Sequence, residues 1–196
     1  TIASAIGLVV GFLSGFFSGR APDEGLMMLT NMFMVLPSLA ILIILSAYLP
    51  YRGIVTQSLI VAATAWPWTA RAVRSQTLSL KSQEFVNLSR ISAAPTLRII
   101  REDIAANMFS YVFMVYILQF NGTILSSVGL EFLGLGPTRG ISLGLVLQNA
   151  VNWNALHLGM WWWTIIPGLI LTMLIVSLYF INTGLDEVFN PRLREM

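Results

Sequence analysis

The sequence predicts an all-α membrane protein with about five transmembrane helices, a short helix in one polar loop and another helix at the outer membrane surface. Only 10% of the 196 residues are charged, against about 25% in an ordinary soluble domain. These charges also leave long gaps, since none falls within residues 1–19, 25–51, 53–70, 104–130 or 140–185. A spanning helix needs about 20 mostly apolar residues. Its backbone groups bond within the segment, which makes a helix the expected form.

The five predicted spans follow the uncharged gaps in chain order. They cover approximately residues 2–18, 27–49, 54–70, 104–130 and 161–181. The first carries Gly7, Gly11, Gly15 and Gly19. Small residues at every fourth position allow two membrane helices to approach closely. We therefore expect this span to pack tightly against a neighbour.

Other features belong to the later spans. Pro37 lies in the middle of the second span and Pro67 near the end of the third, and we expect each to kink its helix because proline removes a backbone hydrogen bond. The fifth begins with tryptophans at 161–163, which is typical of a membrane interface. The preceding segment 141–159 is uncharged but richer in polar residues, so we expect an outer interfacial helix there.

The basic residues predict the orientation. Because successive spans alternate sides, the loops form two sets, and nine of the eleven basic residues fall in one set. That set comprises Arg20, Arg71, Arg74, Lys81, Arg90, Arg98, Arg101, Arg192 and Arg194. The positive-inside rule assigns it to the cytoplasm. The C-terminus is then cytoplasmic, and the loop 71–103 is the one large cytoplasmic loop.

The pattern within loop 71–103 predicts a helix, a turn and a second helix. Apolar residues recur at helical spacing over 79–92, Pro95 marks a turn, and a helix restarts near Leu97. Spacing alone leaves two interpretations equally open: a solvated connector, or a functional element of the kind that long loops often carry.

Residues 84–101 read E-F-V-N-L-S-R-I-S-A-A-P-T-L-R-I-I-R, which resembles the EAA loop of ATP-binding-cassette (ABC) importer permeases of the dipeptide, oligopeptide and nickel type. The matching positions are Glu84, Val86, Arg90, Ala94, Arg98, Ile99, Ile100, Ile104 and Asn107. Segments 15–28, 131–136 and 186–194 resemble further stretches of the family in the same order. The chain departs from the pattern at Asn87-Leu88-Ser89, where the family has the E-A-A triplet, and at Ala93 and Ala106, where it has glycine and proline.

The resemblance implies a single permease domain, 1–196, that forms half of a translocation pathway for peptides or a similar small solute. It also implies a second homologous permease, two cytoplasmic ATPase subunits and an extracytoplasmic substrate-binding protein, in a prokaryotic cytoplasmic membrane. ATP and magnesium would bind to the ATPases, and this chain would hold no cofactor. The family has one more N-terminal helix, so the chain is expected to lack its beginning. The cargo stays open among peptides, nickel, glutathione and oligosaccharides.

The resemblance further implies that the loop helix contacts an ATPase. The residues expected at this contact are Glu84, Phe85, Asn87, Leu88, Ser89, Arg90, Ala93, Ala94 and Arg98. The apolar Phe85 and Leu88 would anchor the helix in a groove, and Glu84 and Arg90 would bond at its rim.

Sequence motifs argue against catalysis by this chain. It has no P-loop motif, no cysteine and a single histidine, so we expect neither ATP binding nor a metal site. A net charge of +2 gives no reason to expect nucleic acid. The alternative is an ion channel or a secondary carrier, but no ionisable residue lies mid-span to couple ions.

Polar residues of the fourth span suggest a translocation pathway. Gln119, Thr123, Ser126 and Ser127 lie at helical spacing, so they share a face that could line the pathway. Hydrogen bonding between helices is the competing interpretation for each one. Glu131 follows at the outer end of this span, where the resembling family usually has a small polar residue. It could face the substrate entrance, but we expect it to be an exposed carboxylate at the rim.

Overall fold

The computed structural model describes residues 2–49 and 52–189, and it describes side chains only as far as residue 185. The resemblance noted at 186–194 therefore lies outside the described side chains. Every regular element in the described part is helical. The α-helices are Ile2–Phe16 (α1), Ala21–Val35 (α2), Ser38–Tyr48 (α3), Ile54–Lys81 (α4), Glu84–Ile91 (α5), Thr96–Arg98 (α6), Ala106–Phe132 (α7), Leu143–Asn152 (α8) and Trp162–Phe189 (α9). A π-helical segment, Ile99–Ala105, joins α6 to α7.

Two helical segments are long and apolar enough to cross a membrane. One is the continuous helix Thr96–Phe132 and the other is Trp162–Leu185 within α9. The bent pair formed by α2 and α3 is a third candidate, and α1 is apolar but shorter. This agrees with an all-helical membrane protein. By length and composition it supports two or three spans, so the predicted number of five is not confirmed.

The predicted second span is broken instead of merely kinked. Helix α2 ends at Val35, α3 begins at Ser38, and their axes differ by 83°. Between them Pro37 caps α3 in an extended conformation, with φ −66° and ψ 107°. Proline lacks an N–H donor and disfavours helical geometry in the residue before it, so the break falls here. Pro67 lies inside α4, which continues through it.

The close helix contact predicted for α1 is present, and its partner is α4. Cβ atoms added at Gly7 and Gly15 would lie 2.5 and 2.6 Å from side-chain carbons of α4. One added at Gly11 would overlap the backbone carbonyl oxygen of Ala70. Gly19 takes no part in this contact, since it follows α1 in a turn with φ +77°. Three of the four glycines therefore let the two backbones approach.

Helix α4 runs past the predicted end of the third span. It continues through residues 71–81 and stops at Lys81, so the first part of loop 71–103 is a rigid extension of a long helix. Only residues 82–95 then form the helix and turn expected from the sequence, with α5 inside them. The short helix α5 is consequently carried on the end of α4.

Segment 141–159 contains the predicted short helix in the form of α8. Ser142 is its N-cap, with the Leu145 N–H donating to Ser142 Oγ at 3.2 Å. Such a cap satisfies one of the free N–H groups of a first helical turn. A turn closed by Gly159 at φ +79° leads towards α9. Its location at an outer membrane surface stays a prediction.

Candidate functional site

Helix α5 presents an apolar surface that the chain itself leaves uncovered. Phe85, Leu88 and Ile91 are 40%, 63% and 82% exposed. Glu84 lies in the first turn and Arg90 in the last, the ends where each charge favours the helix dipole. The helix is thus locally well formed, yet much of its apolar surface has no partner within the described chain.

The opposite side of α5 is fastened by Val86. This side chain is fully buried and packs in one cluster with Val73 of α4 and with Ile99, Ile104 and Met108 of the helix leading into α7. Sequence reasoning counted Val86 only as a motif match. Through Val86, α5 is joined to both long helices that flank it.

The turn after α5 explains why the related loops have glycine where this chain has Ala93. The Ala93 N–H donates to Arg90 O at 3.0 Å and the Ala94 N–H to Ser89 O at 3.1 Å. This pair of bonds is a Schellman motif, whose first residue after the cap takes a left-handed conformation. Ala93 has φ +54°, a conformation that costs a residue with a Cβ more than it costs glycine.

The remaining residues of the predicted ATPase contact lie close to this turn. Arg90 donates to Asn87 Oδ1 at 3.4 Å, and Arg98 forms an exposed ion pair with Glu102 at 2.8 Å. Exposed pairs of this kind contribute little to stability. Ser89 and Ala94 are half-buried. The structure thus gathers all nine predicted residues around α5 and the turn that follows.

An ion pair and a half-buried lysine attach the C-terminal end of α4 to α1 and α2. Asp23 is buried and accepts two hydrogen bonds from Arg74, each at 2.8 Å. Lys81 donates to Phe16 O at 2.6 Å, at the end of α1 where a cation favours the helix dipole. Burial lowers the pKa of the Lys81 ammonium below its usual range. These contacts hold the stem of α5 rigid.

The four predicted pathway residues border two cavities. Thr123 and Ser127 line one of about 420 Å³, whereas Gln119 and Ser126 line another of about 400 Å³. Gln119 is buried and its Oε1 accepts a hydrogen bond from Thr69 of α4 at 3.0 Å. That bond is the kind expected from the competing interpretation. A role in translocation stays a prediction for all four.

The expectation of an exposed Glu131 is wrong. Glu131 is only 7% exposed. Its carboxylate accepts hydrogen bonds from Gln57 Nε2 at 3.2 Å and from Ser142 Oγ at 2.6 Å. The last turn of α7 packs between the start of α4 and the N-terminus of α8, which encloses the side chain. No local pattern pointed to these two partners, since they lie 74 and 11 residues away along the chain.

Comparison with known proteins decides the family. A family model described as "Binding-protein-dependent transport system inner membrane component" matches residues 7–195. The chain belongs to this family. It is 31% identical over 192 residues to a putative peptide permease protein of Brucella ovis, covering 97% of this chain. It is 28% identical to an oligopeptide transport system permease protein of Lactococcus lactis and 30% identical to a nickel transport system permease protein of Escherichia coli, covering 97% and 96% of this chain.

The chain spans 63%, 65% and 66% of the lengths of these three relatives. Membership in a family of transport inner membrane components agrees with the expectations of a membrane location and a transport role. It does not favour the alternative of an unrelated ion channel or secondary carrier. The resemblance drawn from residues 84–101 is confirmed by a match that covers nearly the whole chain.

Proposed function

We propose that this chain is a permease subunit of an ATP-driven importer in a prokaryotic cytoplasmic membrane. It pairs with a second, related permease, and two ATPase subunits bind on the cytoplasmic side and hold the ATP and magnesium. An extracytoplasmic binding protein delivers the solute to the outer face, where segment 141–159 is the contact. This chain catalyses no reaction itself, and it supplies half of the translocation pathway.

The observation that carries the proposal is the placement of α5. Its apolar side chains Phe85, Leu88 and Ile91 are exposed, while buried Val86 fastens the helix to its flanking long helices. A short helix with exposed apolar residues fits a groove on a partner. Because its stem is helical on both sides, a displacement of α5 by the ATPase would move α4 and α7 as rigid elements.

The proposal includes five membrane crossings with the C-terminus in the cytoplasm. Helices α1, α4, α7 and α9 each cross once, and α2 with α3 forms one broken crossing. The basic residues of the described chain support this topology, because most fall at the end of the molecule that carries α5. The cavities beside α7 are the proposed pathway, with Gln119, Thr123, Ser126 and Ser127 on their walls.

The names of the relatives support a peptide or a similarly small solute as cargo. These names mention peptide, oligopeptide and nickel permeases. Two cavities of about 400 Å³, mainly apolar with a few hydroxyls on their walls, suit a small organic solute better than a bare ion, since a lone ion needs a compact set of ligands.

The test is to replace Leu88 with glutamate in the assembled transporter. Glutamate forms helices well, so α5 is retained, but its charge would have to enter an apolar groove at a cost of several kcal/mol. We expect at least a tenfold loss, about 1.4 kcal/mol, in ATPase binding and in cargo-stimulated ATP hydrolysis. Co-purification of the ATPase and phosphate release measure the two effects.

The matched control is Gln83→Glu. It adds the same charge about one and a half helix turns before Leu88, at the N-cap of α5. A carboxylate at this end stabilises the helix. We expect near wild-type assembly from this variant. Undiminished ATPase binding by Leu88→Glu would refute the proposed role of α5.

A further inference from the structure

The polar groups that line the cavity of about 420 Å³ are hydroxyls and one carboxylate. This cavity lies among α1, α4, α7 and α9, and one end is bordered by Glu131 and Ser142. Its other polar lining groups are the hydroxyls of Ser58, Thr123 and Ser127. No side chain with an N–H group lines this cavity within the described part of the chain.

The hydroxyl protons are mostly committed to other partners. Ser58 Oγ donates to Ile54 O at 2.8 Å, Thr123 Oγ1 donates to Phe120 O at 2.8 Å, and Ser142 Oγ donates to Glu131 at 2.6 Å. A hydroxyl has one proton and two acceptor lone pairs. Ser58 and Thr123 therefore offer both acceptor lone pairs to anything in the cavity, whereas Ser142 Oγ, which also accepts from the Leu145 N–H at 3.2 Å, offers one.

The Glu131 carboxylate adds negative charge beside these few acceptors in an otherwise apolar wall. Its hydrogen-bond donors are the neutral Gln57 amide and Ser142 hydroxyl, and no ion pair involves it among the described residues. Arg139 borders a separate cavity of about 240 Å³ that also reaches Glu131, but it makes no ion pair with the carboxylate. A buried carboxylate is favourable only when charge or hydrogen bonds compensate it.

The identity of a matching ligand follows from this balance. A group that brings several N–H donors and a positive charge would satisfy both the carboxylate and the hydroxyl lone pairs. A metal ion fits less well, because no group of three or more potential ligating residues exists in the described chain. We propose that the cavity between α1, α4, α7 and α9 binds a primary ammonium group, with Glu131 as its counter-ion. The idea that this ammonium belongs to the cargo rests on the proposed function.

Glu131 would then be a specificity residue for the cargo. A cargo with a free amine would gain a charge-assisted hydrogen bond here, and a neutral cargo of equal size would not.

The test compares hexylammonium with hexanol, two probes of equal chain length that differ in charge. Binding of each to the purified transporter complex in nanodiscs is measured by calorimetric titration. We expect hexylammonium to bind at least about tenfold more tightly, since hydrogen bonds to charged groups are worth about 1.5–3 kcal/mol. Glu131→Gln keeps the shape and should abolish the preference. Equal affinities in the wild type, or a preference that survives in Glu131→Gln, would overturn the proposal.

A second variant covers the case in which Glu131→Gln fails to fold. Ser58→Ala removes one exposed acceptor hydroxyl from the wall. We expect about a threefold loss of hexylammonium affinity, which corresponds to roughly half of the energy of one hydrogen bond to a charged group. The affinity for hexanol should not change. An equal effect on both probes, or on neither, contradicts the assigned acceptor role. ATP-dependent uptake, measured on the same purified complex after reconstitution into liposomes, separates the two proposals. Its absence would count against the importer function and leave the probe preference standing.

Discussion

Replacing Gly11 by alanine should separate α1 from α4. An added Cβ would overlap the carbonyl oxygen of Ala70 and lie 2.9 Å from the Cβ of Val73. Ordinary contacts of a Cβ begin near 3.4 Å. The nearest obstacle is backbone, which has no alternative rotamer. The new methyl group is therefore accommodated only by moving the helices apart.

The size of the effect follows from this geometry. The Val73 contact alone requires a shift of about 0.5 Å, and the closer carbonyl raises it to about 1 Å. Gaps of that size remove about a quarter to a half of the dispersion energy of each contact. Overpacking of a core lowers the free energy of unfolding by about 1–3 kcal/mol. Alanine recovers up to about 1 kcal/mol through its better helix propensity. We expect a net destabilisation of about 1–2 kcal/mol.

The assay is thermal unfolding of the purified protein in detergent, followed by circular dichroism. A loss of 1–2 kcal/mol corresponds to a midpoint lower by about 2–8 °C. Gly168→Ala is the matched control, because a Cβ at Gly168 in α9 meets nothing within 4 Å. It should leave the midpoint unchanged or raise it. If Gly11→Ala unfolds at the same temperature as Gly168→Ala, the close packing of α1 on α4 is not what stabilises this pair.

Two further substitutions test the base of the molecule. Ala93→Gly relieves the left-handed conformation at φ +54° and should stabilise the protein by about 1 kcal/mol, whereas glycine at the neighbouring Ser92, with φ −74°, should not; equal midpoints for both would contradict the strain argument. Asp23→Asn breaks the ion pair with Arg74. Because the Asp23 side chain is only 7% exposed, we expect the free energy of unfolding in denaturant to fall by about 2 kcal/mol. The exposed Glu24→Gln serves as control, and an equal loss in both variants would rule out a specific role for the ion pair.

Much of the fold followed from local patterns. The uncharged gaps indicated an all-helical membrane protein because hydropathy and length are properties of a contiguous segment. The helix predicted over 79–92 is present as Glu84–Ile91, shortened because α4 continues to Lys81, and the turn expected at 94–96 lies at 92–95. The close approach of α1 was also predictable from Gly7, Gly11 and Gly15, although the identity of its partner was not.

The errors arose where residues far apart in sequence meet. Glu131 was expected to be exposed, but α4 and α8 enclose it and supply Gln57 and Ser142 as donors. Pro37 was expected to kink one helix, yet the chain turns there by 83° between two helices. A proline specifies a missing hydrogen bond but not the direction in which the next segment packs.

The sequence by itself determined which segments are apolar and which loop carries the family motif, because these depend on neighbouring residues. Only the tertiary structure decided that Val86 faces inwards while Leu88 stays exposed, and that Thr123 and Gln119 border different cavities. Helical spacing places residues on a face of their own helix. What that face meets is set by packing against other helices, and that is a property of the assembled fold.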